Sequence, residues 1–259
     1  MNDTKDTALQ FQTLVEMMPQ AAPAESGSQP QPSLESVLQD LTPLPRGALF
    51  LGVADDRLPV LLNLADPVPG PVLVAGDSGS GKTRLLRLIA EAVSHTHEPD
   101  SLRFAAIAEQ TGEWESLNSS ANCEGILSFN QPLTTNYLAS LVNWAHTNKN
   151  SSQYVLLLID GLEGLHDDVS LHQSLRWLLL RGPARRIWPI VTVKATRASA
   201  VTQWLPSFRT RLCGHIASDR DVTPITGPGT ASFEALVAGS QFAMREGKTW
   251  LPFWLPRTS

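Results

Sequence analysis

Residues 71–89 have the sequence PVLVAGDSGSGKTRLLRLI, which contains an apolar run, a glycine-rich segment and a helical pattern in that order. Its first five residues form an apolar run of the length of a buried strand. Residues 82–93 carry Leu85, Leu88 and Ile89 at helical spacing. Between the two, residues 76–83 match the pattern G-x-x-x-x-G-K-[ST] in the strand-to-helix context that the pattern requires. The sequence therefore predicts a phosphate-binding loop.

Every residue of this loop is a candidate nucleotide ligand: Gly76, Asp77, Ser78, Gly79, Ser80, Gly81, Lys82 and Thr83. Glycines let the backbone turn its N–H groups toward an anion, and the helix N-terminus adds its positive dipole end. We expect Lys82 to pair with the β and γ phosphates and Thr83 to ligate magnesium through its hydroxyl. ATP and Mg²⁺ are thus the expected cofactors, and a glycine-rich turn without a ligand is the alternative.

Strand-length apolar runs and helical patterns alternate on both sides of the loop. Strands are expected near residues 48–53, 58–62, 71–75, 103–108, 126–129, 154–160, 187–194 and 212–217. Helices are expected near residues 34–41, 82–93, 134–145, 171–179 and 198–205. Alternating strands and helices give a parallel sheet that is covered on both faces. The predicted fold class is therefore α/β, with a mostly parallel sheet and a small N-terminal β-hairpin at residues 48–62.

Candidate metal and catalytic residues follow the apolar strand YVLLLID at residues 154–160. Asp160 ends this strand and is expected to hold magnesium through water, although Asp is also a favoured N-cap of a helix. Many ATPases of this kind have a glutamate directly after that aspartate, and here the position is Gly161. Glu163 could act as the base only if the chain leaves the strand in an unusual turn. Otherwise it is a solvated residue at a helix start.

Charge and hydropathy limit the class of protein. The chain has 20 Lys and Arg against 25 Asp and Glu, and its net charge of -5 argues against a protein that coats nucleic acid over its whole surface. Local basic faces remain open, so DNA stays a candidate partner. Neither a signal peptide nor an apolar stretch of membrane-spanning length is present. We expect a cytoplasmic protein without membrane insertion.

The sequence also predicts three segments. Residues 1–18 have the spacing of a short amphipathic helix, residues 19–32 the composition of a flexible linker, and residues 33–259 form the nucleotide-binding domain. A helix on a tether needs a surface to dock on, so we expect it to bind a partner protein. A frayed terminal tail is the alternative.

Four parts of the chain, in order, resemble the FtsK and HerA group of P-loop motor ATPases. They are LGVADDRLPVLLNLADPVPGPVLVAGDSGSGKTRLLRLI (51–89), YVLLLIDGLEGL (154–165), IVTVKATRASAV (190–201) with FRTRLCGHIASDRD (208–221), and SQFAMREGKTWLPFWLP (240–256). The group contains ring-forming translocases of DNA and, in secretion relatives, of polypeptide. The degenerate ATPase modules of type VII secretion motors are similar too.

This resemblance implies a RecA-like sheet with a closing C-terminal β-hairpin and assembly with further copies or with a related ATPase subunit. It also implies Thr196 at the sensor position, where the group has glutamine, and Arg211 as an arginine that serves a neighbour's nucleotide. The catalytic candidates are thus Glu163, Thr196 and Arg211. One interpretation is an ATP- and Mg²⁺-binding motor domain in a DNA-handling or translocation assembly, with weak hydrolysis because of Gly161. The other is a nucleotide-gated scaffold, a pseudo-ATPase whose bound ATP stabilises a protein interface.

Overall fold

The computed structural model describes residues 31–45, 47–65, 70–129, 131–148, 152–165, 169–227, 231–246 and 249–258. The helix expected in residues 1–18 and the linker as far as residue 30 lie outside these ranges. Residues from Gln31 onward form one unit. Within the described ranges, no helix combines the length and the apolar character that crossing a bilayer demands.

One sheet contains the ten strands of the described residues. They are β1 (Ala48–Val53), β2 (Pro59–Asn63), β3 (Val72–Gly76), β4 (Leu102–Ala108), β5 (Cys123–Ser128), β6 (Tyr154–Asp160), β7 (Ile187–Lys194), β8 (Thr210–Cys213), β9 (Gln241–Glu246) and β10 (Thr249–Trp254). Their order is β2-β1-β10-β9-β8-β3-β7-β6-β4-β5. The strands from β8 to β5 pair in parallel, whereas β1, β2, β9 and β10 pair antiparallel. The predicted α/β class, with a hairpin from each end of the domain, is confirmed.

Helices cover both faces of this sheet. They are α1 (Leu34–Leu41), α2 (Lys82–Thr96), α3 (Pro132–Thr147), α4 (Val169–Arg181) and α5 (Asp219–Thr226). The core on one face contains apolar side chains of α1, α2 and the 3-10 helix Thr111–Leu117, and the core on the other contains those of α3, α4 and α5. Apolar side chains therefore cover both faces of the sheet.

The two terminal hairpins pair with each other at one side of the sheet. Val53 of β1 pairs with Trp254 of β10, and the Trp254 indole N–H donates to Asp55 Oδ1 at 2.7 Å, although the two residues are 199 positions apart. Gly52 allows the strands to approach, because a Cβ there would lie 2.6 Å from Cδ2 of Phe253. Pairing between distant segments thus joins the two hairpins, and β9 joins them to the parallel strands through β8.

Some elements differ from the sequence-based expectation. The short helix expected at 198–205 is two 3-10 helices, Ala195–Val201 and Leu205–Ser207, because Pro206 has no N–H to donate and its ring would clash with a carbonyl four residues earlier in a continuous α-helix. The strand expected to reach residue 217 ends at Cys213, since the Gly214 amide still donates to Ala75 but the chain then turns toward the phosphate loop. Helix α5 was not predicted, because it is only eight residues long and contains Pro224, which is unfavourable inside a helix.

Candidate nucleotide site

The loop at residues 76–83 lies at the carboxyl end of β3 and runs into α2. Gly79 and Gly81 have φ values of +77° and +93°, which only glycine adopts without strain. A Cβ on Gly81 would also lie 2.9 Å from the carbonyl oxygen of Gly239. In the part of the chain that the structure describes, the amides of Gly81, Lys82 and Thr83 donate to no protein acceptor. This cradle of free N–H groups fits a phosphate anion.

Lys82 reaches back across the loop from the first turn of α2. Its Nζ donates to the carbonyl oxygens of Gly76 at 2.9 Å and Asp77 at 2.7 Å, and lies 3.4 Å from Ser80 Oγ. Burial lowers the pKa of Lys82, whereas the nearby carboxylates, with Glu163 the strongest, favour its charged form. The loop therefore holds a desolvated cation close to three acids.

Asp77 fixes the loop to the segment that follows β8. Its amide donates to the carbonyl of His215, and its Oδ2 accepts from the amide of Ala217, both at 2.9 Å. Arg84 fixes the other side, since its guanidinium donates to the carbonyl oxygens of Gly239 and Pro256 at 2.9 Å each. The loop is thus braced by both the segment after β8 and the C-terminal segments.

Asp160 lies at the end of β6, the second strand from β3 in the sheet. Its Oδ1 accepts from the Thr192 hydroxyl at 2.9 Å, and Thr192 is only 1% exposed. No group of three His, Cys, Asp or Glu side chains converges as a metal site among the described residues. The hydroxyl of Thr83 and the carboxylate of Asp160 nevertheless fit Mg²⁺, which binds one or two protein oxygens and completes its shell with phosphate and water.

Glu163 lies in a tight turn directly after β6, and its proposed role as a base requires such a turn. Gly161 adopts φ +105° and ψ 75°, and a 3-10 turn follows, closed by the Gly164 amide donating to Gly161 O at 2.9 Å. The turn directs Glu163 toward β7, where its Oε1 accepts from the Lys194 amide at 3.0 Å. Its Oε2 is buried and has no hydrogen-bond partner in the described residues. This oxygen is free to accept a hydrogen bond.

Two predicted catalytic residues make no hydrogen bond to Asp160 or Glu163 in the described ranges. Thr196 is exposed in the 3-10 helix Ala195–Val201, which follows Lys194 directly and packs against the turn that carries Glu163. Arg211 pairs with Leu73, near the start of β3, so it lies toward the sheet end opposite the phosphate loop. Its guanidinium donates to Leu205 O at 3.0 Å and Phe208 O at 3.2 Å. Their proposed roles remain predictions.

Thr192 and Lys194 are residues of the site that sequence reasoning missed. They occupy alternate positions near the end of the buried strand β7, and alternate residues of a strand point to the same face. The signal in the sequence is a polar residue at every second place in IVTVK, where a fully buried strand needs none. These positions are polar because they face β6 and the turn after it: Thr192 contacts Asp160, and the Lys194 amide contacts Glu163.

Comparison with known proteins agrees with this geometry. The NACHT domain family matches residues 70–220, which is more than half of the chain. The chain belongs to the NACHT domain family. These P-loop NTPases share the phosphate loop described above, and the matched range of this NACHT domain contains the loop, Asp160 and Glu163. No curated protein matches the sequence.

Solved structures of motor ATPases share the fold of this NACHT domain. Thermomonospora curvata EccC (ATPases 2 and 3), in complex with a signal sequence peptide, has a TM-score of 0.69 at 16% identity, covering 97% of this chain and 48% of that one. EssC (ATPases 2 and 3) from Geobacillus thermodenitrificans has a TM-score of 0.67 at 11% identity, covering 92% and 48%. The pCW3 conjugation coupling protein TcpA, in its monomer form with ATPgS, has a TM-score of 0.66 at 15% identity, covering 97% and 81%.

These neighbours confirm the expected resemblance to FtsK/HerA-type and type VII secretion ATPases at the level of the fold. The NACHT domain spans about half the length of the EccC and EssC chains that it matches, 48% of each. At identities of 11–16% the likeness concerns architecture alone.

Proposed function

We propose that this NACHT domain binds ATP with Mg²⁺ and slowly hydrolyses it as a motor-type module of a translocation or DNA-handling assembly. The observation that supports hydrolysis is the carboxylate of Glu163. One of its oxygens is held by the Lys194 amide, and the other is buried, without a hydrogen-bond partner in the described chain. A buried acceptor beside the phosphate-loop lysine can orient and deprotonate a water molecule.

Phosphate binding depends on Lys82 and the free amides of the loop. An ammonium group has three donors, and the two short bonds to the carbonyls of Gly76 and Asp77 use two of them. The third lies against the Ser80 hydroxyl at 3.4 Å, which is the longest and weakest of the three contacts. A phosphate oxygen replaces this contact, so the lysine binds nucleotide without releasing the loop.

Metal binding depends on Thr83 and Asp160. Thr192 orients the Asp160 carboxylate through one oxygen and leaves the second for water of the metal shell. Bound Mg²⁺ supplies positive charge that neutralises the phosphates and polarises the bond to be broken. The protein's own contribution is to keep both oxygen donors at the carboxyl edge of the sheet.

Assembly completes the proposal. Arg211 would serve a neighbour's nucleotide after exchanging its two internal carbonyl contacts, and Thr196 would act as the sensor on the exposed turn after β7. The neighbour is a second copy or a related ATPase subunit, and residues 1–18 dock a further partner protein. We place the assembly in the cytoplasm. Its cargo is DNA, in line with the FtsK and HerA resemblance, or a polypeptide, in line with the EccC structure that contains a signal sequence peptide.

A nucleotide-gated scaffold is the second candidate function. Gly161 takes the position of the expected glutamate, and Arg211 is bonded within its own chain. Both features favour a domain that binds ATP to stabilise a protein interface and does not turn it over.

A single-turnover ATPase assay, with and without DNA, separates the two functions. Glu163→Gln is expected to slow hydrolysis by about 10²- to 10⁴-fold while ATP still binds. Glu115→Gln, an exposed glutamate on the 3-10 helix after β4, is the matched control and should leave the rate unchanged. A wild-type protein that binds ATP but releases no phosphate would support the scaffold. No thermal shift of the wild type at millimolar ATP and Mg²⁺ would refute both.

Lys82→Ala tests the binding step itself. Each charge-assisted bond to phosphate contributes about 1.5–3 kcal/mol, so the variant should lose ATP affinity by at least about tenfold. Retained affinity, measured by calorimetry, would show that the loop is a glycine-rich turn without this role.

A further inference from the structure

Lys194 is a cation beside the phosphate loop to which neither the family nor the sequence pattern assigns a role. It is the last residue of β7 and pairs with Gly76, the first residue of the loop. Its side chain is half-buried. Within the described ranges, its ammonium group makes no ion pair and no hydrogen bond. A half-buried ammonium group without a partner leaves its charge available to an anionic ligand.

The pleat of β7 places this ammonium group on the side of the sheet where the nucleotide binds. Thr192 and Lys194 point to the same face, and Thr192 contacts Asp160 there. Ile190, two residues before Thr192, belongs to the core that α2 covers. Lys194 therefore projects toward the face on which α2 begins with Lys82. Burial is the main cause that lowers the pKa of Lys82, and the charge of Lys194 acts in the same direction.

The position of Glu163 indicates which phosphate lies nearest to Lys194. The Lys194 amide donates to Glu163 Oε1, so the start of the Lys194 side chain lies at the candidate base. A base that activates the attacking water must lie beside the terminal phosphate. Two cations that repel each other gain stability when the γ-phosphate, with its extra charge, lies between them.

We propose that Lys194 is a second phosphate ligand, which contacts the γ-phosphate and makes the site prefer a nucleoside triphosphate over a diphosphate. This rests on the proposed function, because it requires that the loop binds nucleotide. The preference belongs to a single chain and needs no arginine from a neighbour. Whether one domain holds a triphosphate or a diphosphate can then control its association with another subunit.

Calorimetric titration with Mg²⁺ and either ATPγS or ADP tests the proposal. We expect Lys194→Gln to weaken ATPγS binding by about 10- to 100-fold and to change ADP binding by less than about 3-fold. Lys194→Met, a second neutral variant, should behave in the same way, and Lys194→Arg should retain the preference. Arg176→Gln, which removes an exposed charge on α4, is the matched control and should match the wild type.

Three results would overturn it. An equal loss for both nucleotides would make Lys194 a general contributor to the loop, and no loss in either neutral variant would leave the γ-phosphate to Lys82 alone. Both leave the proposed function standing, because the wild type still binds. A wild type that binds neither nucleotide would overturn the proposed function together with the role of Lys194.

Discussion

Gly161 holds the turn that brings Glu163 to β7, and replacing it with alanine tests that turn. Gly161 has φ +105°, a conformation that costs an L-residue about 1–2 kcal/mol. A Cβ would meet only Cε2 of Phe129, at 3.9 Å, which is an ordinary contact. The loss of stability in Gly161→Ala therefore comes from backbone strain and not from a steric clash. The melting temperature should fall by roughly 2–8 °C for a domain of this size.

The same substitution should affect hydrolysis. A residue that relaxes φ at position 161 withdraws Glu163 from the Lys194 amide, so single-turnover hydrolysis should fall toward the rate of Glu163→Gln. Gly161→Glu, which the sequence alone suggests as a repair of the missing acid, should also lower the rate, because a glutamate at this position relieves the same strain by relaxing φ.

Gly112→Ala is the matched control for the stability measurement. Gly112 has no positive φ, and a Cβ there meets nothing within 4 Å. Its melting temperature should equal or slightly exceed that of the wild type. If Gly161→Ala and Gly112→Ala have the same melting temperature, the turn carries no strain and our account of it is wrong. A faster Gly161→Glu would place the base directly after Asp160 and refute the role of Glu163.

Three further predictions concern other parts of the chain. Burial lowers the pKa of His97 below its ordinary 6.5, so the unfolded chain takes up the proton first and stability falls as the pH drops below 6.5. Urea unfolding from pH 8 to 5 measures this, and an unchanged slope in His97→Gln would contradict it. Asn122→Ala removes the donor to His97 O (3.0 Å) and Leu102 O (2.8 Å) and should cost about 1–3 kcal/mol. Asn118→Ala, at an exposed position, is the control for Asn122→Ala. Equal urea midpoints for the two variants would refute the expected loss of stability. Arg211→Ala should weaken ATP-promoted association in sedimentation more than it weakens ATP affinity, and a strict monomer with and without ATP would count against a ring.

The phosphate loop and its flanking elements could be predicted because their signals are local. Strand β3, the glycines and α2 follow one another in the chain, and each has its own short pattern. The α/β class follows from the same kind of alternation.

The partners of the catalytic groups could not be predicted in this way. The contact of Thr192 with Asp160, and that of the Lys194 amide with Glu163, depend on β6 lying next to β7 and on their register. Pairing between distant strands is a property of the whole sheet, and no short pattern of residues records it. The turn at Gly161 was foreseen only as a condition for the role of Glu163, because a single glycine does not reveal its φ angle.

The pairing of β1 with β10 has a consequence for how the protein is made. At a synthesis rate of about 5–20 residues per second, the 199 residues between Asp55 and Trp254 take roughly 10–40 s to emerge. Throughout that time the β1 edge of the first hairpin lacks its partner, and an isolated two-stranded hairpin is marginally stable. An unpaired apolar edge is a template for association with other chains. The nascent chain therefore depends on a factor that shields residues 48–63, or on folding that begins at the parallel strands and admits this hairpin last.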